Sequence, residues 1–382
     1  MITNENYIEE RDRRIVLLNR IIEDAGVDAL VLTATAQQAY QVATKYVSGY
    51  QLTTRRDFVF MKPGEMPRLI VPTVGQQYHA RRLSWLPSEN IYSGPMLETV
   101  CRWIKELRIA HPRIGMYDYA ELPVSIDAAL RATGAEIVDI TREFTAARQR
   151  KSDFEINLIR RASEAAVESF EHVVKIAQVG MTERQLIGAG EGYLRAHGAE
   201  DSLVLTRSQY PHSFICRPTD YRMEPDSVSI YSAEVAGPFG YWTQVLRPIF
   251  FQKGCQTEVR RILSIIREAE AAGAEAMKVG GTVADVAKAI EKVVADNNCR
   301  MGVWSGHGMG HDLGDGVDIG NMNEMEIVPN MVLTLHPSVL SDSDGFLFGD
   351  TWRATPDGAE LLTPQYHDVC DLDELKELVR FK

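Results

Sequence analysis

Apolar positions in the first third of the chain follow two different periods. In residues 6–26, NYIEERDRRIVLLNRIIEDAG, Ile15, Leu18 and Ile22 fall on one helical face, and Gly26 ends the pattern. Short apolar runs follow: VDALVLT, then DFVFM and RLIVP around the turn KPGEMP, then RIGMYD and EIVDI. Each has strand length and turn residues at its borders. Helical spacing recurs at 74–84, 97–109 and 121–132. The alternation predicts an α/β domain over residues 1–148.

From Lys151 the texture changes. SDFEINLIRRASEAAVESFEHVVKIA opens with the capping-box pair Ser152 and Glu155, and MTERQLIGAGEGYLRAHGA with Thr182 and Gln185. Strands are predicted in SLVLT, SVSIYSAEV and YWTQVLRPIFF. Helices follow at about 257–278 and 283–297. The closing strands are NMVLTLHPSV, FLFGDTWRAT and AELLT. Two helix pairs, each followed by antiparallel-looking strands, predict an α+β domain over 149–382 with an internal near-repeat.

Composition narrows the function classes. The 382 residues carry a formal net charge of −12, which argues against nucleic-acid binding, since that needs a basic face. The five cysteines, Cys101, Cys216, Cys255, Cys299 and Cys370, form no CxxC pair and read as reduced thiols. No apolar run approaches the roughly 20 residues that cross a bilayer. The N-terminus is charged rather than signal-like, so a cytoplasmic location is expected.

The candidate chemistry gathers in WSGHGMGHDLGDGVDIGNMNE, residues 304–324. Taken with KSDFEINLIRRA, GMTERQ, VSIY, GYWTQVLRPIF, GTVADVAKAI, NMVLTLHP and GDTWRATPDGAELLT, it resembles the pita-bread fold. Methionine aminopeptidase, aminopeptidase P, prolidase and creatinase share that fold. The pieces occur in family order over residues 150–364, and the N-terminal half fits the smaller domain of the two-domain members. The resemblance implies two divalent metals on five ligands. Residue by residue, Tyr231 stands at the first aspartate, Gln244 at the second, His307 at the histidine, His336 at one glutamate and Gly349 at the other. No carboxylate remains at these positions, and a pair of divalent ions needs anionic ligands to balance it. No metal or other cofactor is therefore expected. A single zinc on His307 and His336 is the alternative.

Creatinase is the family's metal-free precedent, and its catalytic histidine corresponds to His212 in SQYPHSF. A neutral imidazole there can take and return a proton. His212, His307 and His336 are thus the expected catalytic residues. Tyr231, Gln244, Tyr241, Arg247, Arg56 and Asp350 are the expected substrate contacts, with Arg55 beside Arg56. His311, Asp312, Asp315 and Asp318 read as loop residues. The resemblance implies a small-molecule substrate, and a homodimer in which Arg56 serves the partner's site. The expected function is metal-independent hydrolysis of a non-peptide C–N bond in a small amino-acid-derived metabolite. A lyase or a mononuclear-metal, peptidase-like enzyme of the same fold is one alternative; a non-catalytic binding protein is the other.

Overall fold

A computed structural model of the chain describes residues 4–35, 42–212 and 214–380. It forms two compact units, Met1–Arg148 and Gln149–Lys382. In the first, β1 (Ala29–Thr35), β2 (Arg56–Met61), β3 (Arg68–Val71), β4 (Ile91–Ser93), β5 (Arg113–Met116) and β6 (Glu136–Asp139) build one sheet in the order β4-β3-β2-β1-β5-β6. Helices α1 (Asn4–Asp24), α2 (Val42–Ser48), α3 (Val74–Leu83), α4 (Met96–Glu106), α5 (Val124–Arg131) and α6 (Thr141–Gln149) surround it in sequence. The unbroken apolar run of β1 has a physical reason: both of its faces are covered. Leu30 and Leu32 join the core that includes Leu18 and Ile22 of α1, while Ala29 and Val31 join the core of Trp103, Ile104 and Leu130. The pattern did not reveal β4, which has three residues and only one buried side chain.

The second unit opens with α7 (Asp153–Ile176), α8 (Glu183–Ala196), β7 (Asp201–Arg207), β8 (Val228–Ala236) and β9 (Trp242–Phe250). Helices α9 (Thr257–Ala276) and α10 (Val283–Asp296) follow. Then come β10 (Arg300–Met301), β11 (Gly306–Met309), β12 (Leu313–Asp318), β13 (Val332–Leu335), β14 (Ser338–Leu340), β15 (Gly345–Leu347), β16 (Asp350–Thr355), β17 (Gly358–Leu361) and α11 (Leu372–Val379). Both expected capping boxes are closed, and Thr282 with Asp285 makes a third at the start of α10. The sheets run β7-β8-β9, β12-β11-β13-β16-β17 and β10-β14-β15. A bridge between Leu246 and Gly349 joins β9 to the start of β16.

Two predicted strands are each cut in two. NMVLTLHPSV breaks at His336–Pro337 into β13 and β14, which belong to different sheets. Pro337 has no N–H to continue a ladder. FLFGDTWRAT breaks at Phe348–Gly349 into β15 and β16 in the same way. The chain thus changes sheets twice, and both crossings fall at expected site positions.

Candidate active site

Register decides which side chains meet. In the β8–β9 hairpin Glu234 pairs with Gln244 and Tyr231 with Arg247, so these two pairs point to opposite faces. Tyr231, Ala233, Val235 and Val245 pack against the helices, with Phe170 of α7 and Leu186 of α8. The Tyr231 hydroxyl lies 2.5 Å from Ser169 Oγ, and burial pushes its pKa upward. Gly190 makes the room, because a Cβ there would overlap the tyrosine ring. The expected substrate contact Tyr231 is corrected accordingly: it is a core residue on the wrong face of its strand.

The opposite face carries a row of residues across five strands: Glu234, Gln244, Thr351, Thr334 and His307. Thr351 Oγ1 ties the row together, accepting from Gln244 N at 3.1 Å and donating to Gln244 O at 2.8 Å. His336, one residue beyond β13, puts its ring 5.0 Å from that of His307, edge to face. The Gln244 amide donates to Glu234 Oε1 at 2.9 Å. Burial pushes the Glu234 carboxyl up to about 8. Burial, with His307 alongside, pushes His336 down to about 3. His307 is lowered by burial as well. Near neutral pH His336 is therefore an uncharged imidazole, and much of Glu234 is an uncharged acid.

Several polar atoms on or beside this row have no hydrogen-bond partner among the described residues: Glu234 Oε2, Gln244 Oε1, Ser232 Oγ and both ring nitrogens of His336. An unmet buried polar group costs about 1–3 kcal/mol. Native proteins rarely leave several together unless ordered water, an ion or a ligand completes them. Sequence reasoning missed Glu234. Counting from the strand motif VSIY selected Tyr231, whereas hairpin register selects Glu234. The expectation of a cleft without carboxylates is corrected on this point.

His212 is buried and is held by a residue the sequence did not suggest. Asp344 accepts from the His212 backbone N and meets its Nδ1, each at 2.8 Å. This fixes the ring and leaves Nε2 as the nitrogen not engaged by Asp344. The loop of Asp344 joins β14 to β15, so it lies in the segment running from His336 to Gly349.

Other expected contacts fall elsewhere. Tyr241 donates its hydroxyl to Glu155 of α7 at 2.7 Å. Arg247 donates to Asp350 Oδ1 at 2.6 Å and to the Thr363 carbonyl at 2.6 Å, both residues fully buried on the helix side. These three are corrected from substrate contacts to structural residues: strand alternation turns Arg247 and Asp350 from the row, and Tyr241, just before β9, is held by Glu155. Arg56 lies on β2 of the other unit, where it donates to Thr33 Oγ1 at 3.2 Å. Asp315 forms a buried ion pair with Lys151 at 2.8 Å, and the His311 ring stands 4.8 Å from Tyr241.

Whether metals fit can be judged from the donors. Two ions do not fit. Gln244 is neutral, Tyr231 faces away, and a Cβ at Gly349 would overlap the Leu335 carbonyl and the His336 backbone, so no glutamate can stand there. One ion does fit the donor chemistry. His307 Nδ1 is engaged with the Gly308 carbonyl at 3.0 Å and leaves Nε2, while His336 and Glu234 Oε2 are without partners. Two imidazoles and a carboxylate form a recognised zinc set. These atoms do not all lie within 4.8 Å of one another, however; among the described residues the cluster that does is Glu270, Asp350 and His367, on the helix side.

Comparison with known proteins bears on the reaction. The model of metallopeptidase family M24 matches residues 157–356, and that of the creatinase/prolidase N-terminal domain matches residues 14–186. An uncharacterized peptidase of Staphylococcus saprophyticus is 27% identical over 236 residues, 59% of this chain and 65% of the relative. One of Staphylococcus aureus is 27% identical over 224 residues, 56% and 62%. The matches thus span under two thirds of these relatives' length. Among solved structures, the Xaa-Pro dipeptidase from Bacillus anthracis superposes with a TM-score of 0.80 at 20% identity, covering 94% of this chain and 99% of the other. The prolidase from Pyrococcus horikoshii gives 0.78 at 18%, covering 92% and 98%. The expectation of a metal-independent hydrolase of a non-peptide C–N bond is overturned by these findings: the family model is that of metallopeptidases, and the similar proteins are named peptidases and prolidases. With the M24 model covering residues 157–356, more than half of its length, the chain belongs to metallopeptidase family M24 and carries the pita-bread fold behind a creatinase-type N-terminal domain.

Proposed function

We propose that this chain is a hydrolase of short peptides whose centre takes one divalent ion rather than two. The observation that carries the reading is the run of unpartnered buried atoms on Glu234, Gln244 and His336 along one sheet face. The names of the similar proteins support peptides as the substrate class. His307 and His336, whose rings stand 5.0 Å apart, would hold the ion with water or substrate completing its ligands, and it would supply Lewis acidity toward the scissile carbonyl when bound.

The chain's own residues do the rest. Gln244 and Glu234 offer hydrogen bonds to the peptide backbone. His212, its ring aimed by Asp344, takes a proton from the attacking water at Nε2 and returns it to the leaving amine. An uncharged His336 is in the form that ligates an ion, and a largely protonated Glu234 can donate to a peptide carbonyl. That the chain works as a homodimer belongs to the same reading, and light scattering in solution tests it.

The central test incubates untagged protein with di- and tripeptides, Xaa-Pro dipeptides included, in the presence of Zn²⁺, Mn²⁺ or Co²⁺, and detects products by mass spectrometry. Cleavage is expected, and His212→Ala should slow it by about 10²–10⁴-fold. No cleavage with any ion, or equal rates in the variant, would sink the proposal.

A further inference from the structure

The helix side of β16 carries a cluster for which the proposed reaction has no use. Glu270 lies on α9, Asp350 opens β16, and His367 sits between β17 and α11. Both carboxylates are buried, at 1% and 0% exposure. Each is anchored through one oxygen only. Glu270 Oε1 accepts from Trp352 Nε1 at 2.8 Å; Asp350 Oδ1 accepts from Arg247 and from Thr363 Oγ1, the latter at 2.5 Å. The remaining oxygens, Glu270 Oε2 and Asp350 Oδ2, have no hydrogen-bond partner among the described residues. They point toward His367 Nε2, at 3.5 and 3.7 Å, which is too far for a good hydrogen bond.

Those distances match a different arrangement. Ligand atoms bound at about 2.0–2.1 Å around a tetrahedral ion stand roughly 3.3 Å apart. The three atoms here all lie within 4.8 Å of one another. The imidazole is also set as a ligand would be: its Nδ1 meets Asp368 Oδ1 at 3.1 Å, and its ring is edge-on to Phe348 at 5.1 Å. A carboxylate behind the far nitrogen is the usual support of a metal-bound histidine. We propose that Glu270 Oε2, Asp350 Oδ2 and His367 Nε2 bind one divalent ion of the zinc class, tying α9, β16 and the segment before α11 together.

The charges around the cluster define the rival arrangement. Arg247 pairs with Asp350, and Arg267 donates to the His367 carbonyl, so two guanidinium groups oppose an added cation. Without an ion, a protonated His367 would balance the two carboxylates instead. The two arrangements differ in what they bind.

The test uses the untagged full chain, stripped with a chelator and titrated with Co²⁺ while the visible absorption of tetrahedral cobalt is followed. Native protein should show this signal, and its thermal midpoint should rise with bound ion. His367→Gln and Glu270→Gln should each weaken that binding at least about tenfold, and Asp368→Asn, at an exposed position, should weaken it about tenfold without loss of folding. His336→Ala, which removes a ligand of the ion proposed on the opposite face, should leave in place the part of the signal that His367→Gln loses. Absence of a tetrahedral signal in native protein overturns the proposal, as does unchanged affinity in His367→Gln or Asp368→Asn. A signal lost in His336→Ala but kept in His367→Gln would overturn it too, while supporting the ion proposed on the opposite face. Peptide cleavage with no cobalt bound at His367 would separate failure of this inference from failure of the proposed function.

Discussion

The two faces of the β8–β9–β16 surface use polar residues in opposite ways. On the helix side, Arg247 is met by Asp350 and by the carbonyls of Leu246, Thr363 and Gln365. Tyr231 has Ser169. Arg247 and the Tyr231 hydroxyl are buried and bonded, and Arg247 holds β9 to β16. On the other face Gln244, Glu234 and His336 are as deeply buried, yet each keeps an atom without a partner. Stability favours the first arrangement; a binding site needs the second. Residue type does not separate the two sets; hydrogen-bond satisfaction sets Arg247 and Tyr231 apart from Gln244, Glu234 and His336, while Asp350 Oδ2 and Glu270 Oε2 are the exceptions on the helix side.

The largest test of this contrast removes a partner from the bonded face. Arg247→Met leaves Asp350 buried without its cation and should cost about 3–5 kcal/mol in urea unfolding. Gln244→Met, on the open face, should cost less than about 1.5 kcal/mol. Equal costs would erase the distinction.

A second test uses pH. Glu234 is raised from 4.5 to about 8 in the folded protein, so between these values the native state holds more protons than the unfolded chain. Its contribution is fully present below pH 4.5 and is lost as pH climbs through 8, by at most about 1.4 kcal/mol per unit. His336 is lowered from 6.5 to about 3, so its contribution is lost as pH falls through that window. Chemical denaturation at stepped pH should show both flanks, with Glu234→Gln flattening the upper one only. An unchanged upper flank would mean that Glu234 is not the buried acid described here.

The smallest effect is expected at Tyr231. Tyr231→Phe should cost about 1 kcal/mol, one hydrogen bond, and leave peptide cleavage unchanged. A large loss of turnover with little loss of stability would return Tyr231 to the active site.

Much of the fold was legible. The capping boxes at Ser152 and Thr182 mark helix starts from local chemistry, and the run ALVLT marks a strand covered on both sides. The candidate site was legible only in part. His212, His307 and His336 could be picked out because their motifs are contiguous. Glu234 could not, since a shift in hairpin register exchanges one strand face for the other. Asp344 was also hidden: it stands 132 residues from His212 in a plain loop, SDSDG, with nothing local to signal the pairing. Tyr241, Arg247 and Asp350 stand in or beside the motifs of β9 and β16, and a place in a motif does not reveal direction.

The chain's own chemistry determined which segments are helices and strands, because capping, period and turn residues act over a few positions. Tertiary structure alone decided which face each strand presents, where β13 and β15 leave their sheets, and which carboxylate meets which imidazole. Those outcomes depend on the pairing of segments far apart in sequence, where a change of one residue in register reverses every side chain on a strand.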